Sequence, residues 1–129
     1  MLDHIGIPVT DIKRSKAFYD AALSPVGISM IMEVPGSVTE SGGAACGYGK
    51  DGKPFFWLGE STAAAKGLHV AFAVDSRQRV DKFHKAALAA GGKDNGAPGL
   101  RPHYHENYYG AFVLDPDGHN MEVVCHLPE

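Results

Sequence analysis

Residues 4–23 lie over residues 69–88 at a constant offset of 65, with no gap. His4/His69, Val9/Val74, Arg14/Arg79, Phe18/Phe83, Ala21/Ala86, Ala22/Ala87 and Leu23/Leu88 are identical, and Gly27/Gly92 extends the match. Alanine richness inflates the end of the alignment, but it does not explain the paired histidines or the alternation that follows them. A chain that repeats itself over this span folds as two copies of one supersecondary unit. At 129 residues it is a single domain by size. The halves, about 1–60 and about 67–129, are therefore modules, joined through the small-residue stretch 61–67.

Each half reads the same way. Ile5, Ile7 and Val9 alternate with His4, Gly6 and Pro8; Val70, Phe72 and Val74 alternate with His69, Ala71 and Ala73. A period of two places the large apolar residues on one face of a strand and the histidine on the other, among small residues. A helix follows each strand, capped by Thr10 or Asp11 in the first half and by Asp75 or Ser76 in the second. Val80, Phe83, His84, Ala87 and Leu88 form its apolar stripe. Gly27 and Gly91-Gly92 end the helices. Strands are expected at 28–35, 43–49 and 55–58, then around Leu100, at 108–114 and at 121–126. Lys50-Asp51-Gly52 and Asp115-Pro116-Asp117-Gly118 supply the turns. The expected fold class is α+β, with the order β-α-β-β-β twice.

Composition removes several classes of function. Net charge is −3, with no basic footprint for nucleic acid. No uncharged apolar run approaches a membrane span. The start, Met1-Leu2-Asp3-His4, shows no signal-peptide pattern. Cys46 and Cys125 form no CxxC pair, which fits a reducing compartment. A cytoplasmic protein without nucleic-acid or membrane partners is expected.

Seven histidines are many for this length. A single histidine on a small-residue strand face is ordinarily a satisfied structural residue. Two at repeat-related positions are different, because a pseudo-twofold brings both toward one axis. Glu122 lies in the apolar run Met121-Glu122-Val123-Val124, where an unpartnered carboxylate is costly. His4, His69 and Glu122 together make a two-histidine, one-carboxylate set. Such a set holds a divalent ion and leaves coordination positions open.

Four segments carry a resemblance: Leu2-Asp3-His4-Ile5, residues 11–19, residues 68–72 and, most specifically, Asp115-Pro116-Asp117-Gly118-His119-Asn120-Met121-Glu122. Through them nearly the whole chain resembles the vicinal oxygen chelate superfamily, which includes glyoxalase I, extradiol dioxygenases, fosfomycin-resistance transferases and bleomycin-resistance proteins. The resemblance implies two βαβββ modules forming a curved sheet around a metal cup. It implies His4, His69 and Glu122 as ligands of one divalent ion (Fe, Mn, Ni, Co or Zn). It implies a small substrate with vicinal oxygens and a homodimer, in some relatives with each site shared between chains.

Glyoxalase I-like relatives add a fourth ligand, a Glu on the last strand of the first module. Here an offset of 65 puts Trp57 opposite Glu122, and aligning the turns (offset 66) puts Phe56 there. Glu60 would serve only if the register slipped. The favoured expectation is a metal-dependent lyase or isomerase. The alternatives are an extradiol-type dioxygenase or thiol transferase, and a non-catalytic sequestering protein of the bleomycin-resistance type.

Other residues complete the expected site. His105 and His126 are candidate acid–base residues, as is Glu122. Trp57, Arg101, His103 and Tyr48 are candidate substrate-binding residues, with core packing the plainer role for Tyr48. Phe55 and Phe56 line a wall or fill the core. Tyr19 and His84, at one repeat position, are structural. Cys46 and Cys125 pack as buried thiols, and His119 is expected on an exposed turn.

Overall fold

The architecture follows the repeat. A computed structural model describes residues 1–63 and 65–129. The first module runs β1 (Ile5–Val9), α1 (Ile12–Leu23), β2 (Ser29–Val34), β3 (Ala45–Lys50) and β4 (Lys53–Glu60). The second runs β5 (His69–Val74), α2 (Arg77–Ala89), β6 (Lys93–Leu100), β7 (Tyr109–Leu114) and β8 (Asn120–Cys125). Each module is one four-stranded sheet, ordered β1-β4-β3-β2 and β5-β8-β7-β6. The pairs β1–β4 and β5–β8 are parallel, and the remaining pairs are antiparallel. Among the described residues no helix is long and apolar enough to cross a membrane.

Local chemistry sets the boundaries. Asp11 and Ser76 cap the helices by accepting from Arg14 N–H and Arg79 N–H. Past Leu23 the chain makes one 3₁₀ turn, Ser24–Val26, and Gly27 ends it at φ +79°. Beyond α2, Gly91 turns the chain at φ +99°. Both glycines occupy the left-handed region that a β-carbon disfavours.

The alternation sorts each sheet into two faces. Ile7, Val9, Tyr48, Phe56 and Leu58 of the first sheet, and Ala111, Val113, Met121 and Val123 of the second, are buried with Phe18, Tyr19, Val80 and Phe83 of the helices. Tyr48 is therefore core, not cup wall. It stands on the helix side of β3, its ring 6.2 Å from that of Tyr19 and its hydroxyl donating to Asp20 at 2.9 Å. Cys46 and Cys125 are buried free thiols, and burial pushes Cys46 up to about 11.

The two modules share one core and one polar seam. Phe56 of β4 meets Phe72 of β5 edge-on, with centroids 5.3 Å apart. The polar seam is the turn between β7 and β8. Buried Asp115 accepts from Tyr19 Oη at 2.5 Å, and its other oxygen accepts from the N–H groups of Asp117 and His119. Burial first, and then the Asp115 charge, hold the Tyr19 hydroxyl well above its ordinary range, so it stays a donor. Asp117 accepts from the backbone and hydroxyl of Thr10.

His119 departs from its expected exposure. It is fully buried, and its Nε2–H donates to the Pro8 carbonyl at 2.9 Å. The turn folds inward onto the end of β1 because its own backbone is satisfied by Asp115. This leaves His119 Nδ1 buried without a partner.

Asp115→Ala removes the acceptor of one hydroxyl and two backbone N–H groups at this seam. Urea denaturation is expected to register a loss of about 2–4 kcal/mol. A loss within about 0.5 kcal/mol, the size of a neutral surface change, would show that the turn does not tie the modules together.

Candidate functional site

The faces turned away from the helices carry the candidate site. Parity along β8 puts Glu122 and Val124 on that face, with Phe112 and Gly110 beside them on β7. Glu122 is only 2% exposed although it is charged. A carboxylate so deep requires donors, and it has two. His69 Nε2 approaches Oε1 at 2.9 Å, and Tyr108 Oη donates to Oε2. An ionised carboxylate only accepts, so His69 presents Nε2–H and leaves Nδ1 free. Gly110 makes the room: a β-carbon there would sit 3.3 Å from Tyr108 Cε1 and 3.4 Å from Glu122 Oε2.

Burial, followed by the Glu122 hydrogen bond, pushes the Tyr108 hydroxyl up to about 12. It is therefore a donor throughout the neutral range. Tyr108 was not singled out from the sequence. Its polar neighbours in 101–109 mask it, and only the β7–β8 register brings it opposite the carboxylate strand.

The rest of segment 101–109 divides. His105 Nε2 and His126 Nδ1 lie 2.5 Å apart, with the rings stacked. The Tyr108 ring packs edge-on against both imidazoles, with centroids at 5.4 and 5.3 Å. His103 stays on the exposed loop against Tyr104. Arg101 is mostly spent. Nη1 donates to the carbonyls of Gly99 and Gly110, Nη2 donates to Ala97, and the guanidinium lies over Phe112. It clamps the irregular β6–β7 pairing, which explains why this arginine offers little to an anionic substrate. His84 bonds Asp94 at 2.9 Å, away from Glu122. That bond holds Asp94 below the usual carboxylate range.

His4 stands apart from His69 and Glu122. It precedes β1 with its side chain 59% exposed, and Nδ1 bonds Asp3. It lines a cleft of about 450 Å³ with Asp3, Phe55, Phe56, Ala71 and Phe72. Among the described residues no three His, Cys, Asp or Glu side chains gather as a metal would need. One chain thus brings His69 and Glu122 together and presents His4 elsewhere.

The ladders also fix the first module's counterpart of Glu122. Gly6 pairs with Trp57, and Ala71 pairs with Glu122. Gly6 and Ala71 are related by the repeat offset of 65, so Trp57 stands where the second module has its carboxylate. Glu60 does not replace it. It pairs with Val9, and its Oε2 accepts from Ile12 N–H at 3.0 Å, at the start of α1.

Residues 1–123 match the model of the Glyoxalase/Bleomycin resistance protein/Dioxygenase superfamily. The chain belongs to this superfamily. No curated protein matches it in sequence. A glyoxalase/bleomycin resistance protein from Albidiferax ferrireducens is 27% identical, with a TM-score of 0.74 over 97% of this chain and 98% of that one. A glyoxalase I variant from Zea mays shares the fold at 24% identity and TM-score 0.72, over 95% of this chain and 46% of that one. So does a variant of the fosfomycin resistance protein FosX from Listeria monocytogenes, complexed with Mn(II) and 1S,2S-dihydroxypropylphosphonic acid. It is 19% identical, with a TM-score of 0.68 over 96% and 88% of the two chains.

Within this superfamily fold, the donor chemistry of the second module suits a divalent ion. An imidazole nitrogen and a buried carboxylate face each other on the side of the sheet turned away from the helices. His69 and Glu122 are the residues of this module that would hold such an ion.

Tyr108→Phe strips Glu122 of one donor while keeping the ring. At pH 7 the expected loss in stability is about 1–3 kcal/mol by denaturant titration. The Tyr108 pKa is raised in the folded state, so the bond contributes fully below about pH 10 and is lost as pH rises through about 12. The gap between wild type and variant is expected to close over that window. A gap independent of pH would mean that the bond is not its source.

Proposed function

We propose that this chain is a metal-dependent enzyme acting on a small substrate with vicinal oxygens, with lyase or isomerase chemistry favoured. The observation that supports this reading is the buried Glu122 carboxylate paired with a half-exposed His69. His4 completes the ligand set from a second copy of the chain. Two features support a shared centre. His4 lies apart from the other two donors within one chain. In addition, β1 and β5 are edge strands of their sheets, each with one side unpaired. Such edges are templates for pairing with another chain, and the repeat makes them complementary under a twofold.

A divalent ion, when bound, supplies Lewis acidity toward a developing oxyanion or enolate. The chain's own residues do the rest. Tyr108 fixes the orientation of Glu122 by donating to Oε2, which leaves Oε1 directed at His69. The His105–His126 pair, already sharing one hydrogen between Nε2 and Nδ1, takes a proton at one imidazole and returns it from the other. A second reading, a dioxygenase or thiol transferase with an open three-ligand centre, is favoured by Trp57 in the place of a fourth donor.

Elemental mass spectrometry of untagged protein tests the metal. About one first-row ion per chain is expected, lost in His4→Ala, His69→Ala and Glu122→Ala and kept in His84→Ala. Co-expressed His4→Ala and His69→Ala chains are expected to recover metal at one site of each mixed dimer, whereas a centre built within one chain would recover none. If the wild type takes up no metal even on reconstitution, the protein is a ligand-sequestering member of the superfamily.

A further inference from the structure

Trp57 sits in surroundings unlike those of Glu122, its repeat partner. Glu122 pairs across β7 with Phe112, whereas Trp57 pairs across β3 with Gly47. A β-carbon on Gly47 would lie 2.9 Å from Trp57 Cη2 and 3.0 Å from Cε2. The indole thus lies against bare backbone, with Pro54 also close to Gly47. Gly6, its other cross-strand partner, adds no side chain. Trp57 remains only half-buried. It lines an apolar hollow of about 320 Å³ with Gly6, Pro8, Ala45 and Gly59. Glu60, at the margin of that hollow, is engaged by the start of α1.

We infer that Trp57 is a specificity-determining platform for an aromatic ring, and that the substrate is bipartite, with its vicinal oxygens held by the second module of one chain and a planar ring held by the first module of its partner, the module that also supplies His4. The inference rests on the proposed site at His69 and Glu122. Trp57 has that carboxylate's place in the ladder, so it faces the same side of its sheet. A carboxylate selects for charge, while an indole backed by glycine offers a flat π-surface. Pro8, Ala45 and Gly59 add an apolar rim, and the polar residues Ser41, Glu60 and Ser61 stand at one end of the hollow. Such a surface favours a ring over a saturated group of equal size, because stacking adds to simple area burial. An alkyl hydroxy acid satisfies only the oxygen-binding end.

The test uses three hydroxy acids that share one oxygen end: mandelate, its cyclohexyl analogue and lactate. Trp57 is the sole tryptophan, so its fluorescence reports on the hollow directly, and calorimetry serves for its variants. Mandelate is expected to quench Trp57 and to bind about three- to tenfold tighter than the cyclohexyl analogue, the size of one ring–ring contact. Trp57→Phe is expected to keep that preference and Trp57→Leu to erase it, with circular dichroism confirming the fold of both. Equal affinity for mandelate and its saturated analogue in the wild type would overturn the inference, as would a preference that survives in Trp57→Leu. Failure of the metal reading gives a different pattern. Metal removal and His69→Ala would then leave all three affinities unchanged, while Trp57→Leu would still erase the ring preference.

Discussion

The carboxylate of Asp115 joins the halves of this molecule. It is nearly buried, and it takes a phenol from α1 on one oxygen and two backbone N–H groups of its own turn on the other. The turn is thereby closed and pressed onto the first module in the same arrangement. β8 leaves that turn directly, so the position of Glu122 is referred to α1 through a few covalent bonds and one hydrogen bond. The orphaned Nδ1 of His119 is the local cost of bringing the turn so deep. The apolar contacts of the helices and of Phe56 with Phe72 then fill the space that this seam defines.

Pseudo-symmetry gives the two modules the same skeleton and different surfaces. Matched ladders put Trp57 and Glu122 at one position and Gly47 and Phe112 at another. The second module spends its position on a charge and must supply Tyr108 and His69 to keep it. The first spends the same position on an aromatic ring that needs no partner, only an absence of bulk beneath it. A fold built twice from one pattern thus carries a carboxylate and an indole at equivalent ladder positions of its two modules.

Much of this was legible in the sequence because it is periodic or local. The strand alternation, the cap at Asp11 and the hairpin turns each act within a few residues, and the offset of 65 repeats them without a gap. The burial of Glu122 also followed from its apolar neighbours. What was not legible depends on distant pairing. His119 looked like an exposed turn residue because its partner, the Pro8 carbonyl, is 111 residues away. Arg101 had the composition of an anion site, yet the irregular β6–β7 ladder leaves carbonyls that claim its guanidinium. Tyr108 and the His105–His126 pair became visible only when β7 and β8 were set in register.

The glycine beneath Trp57 also limits how this surface can change over generations. A side chain at 47 expels the indole, because its β-carbon would enter the ring's own space. A small residue at 57 leaves the floor of the sheet bare. Neither position can drift alone without harm, so the two are expected to be inherited as a pair. A lineage that regained a carboxylate at 57 would be free to fill 47 as the second module fills its own counterpart, with an aromatic ring. Phe112 with Glu122 in the second module is the other combination that the same pair of ladder positions carries.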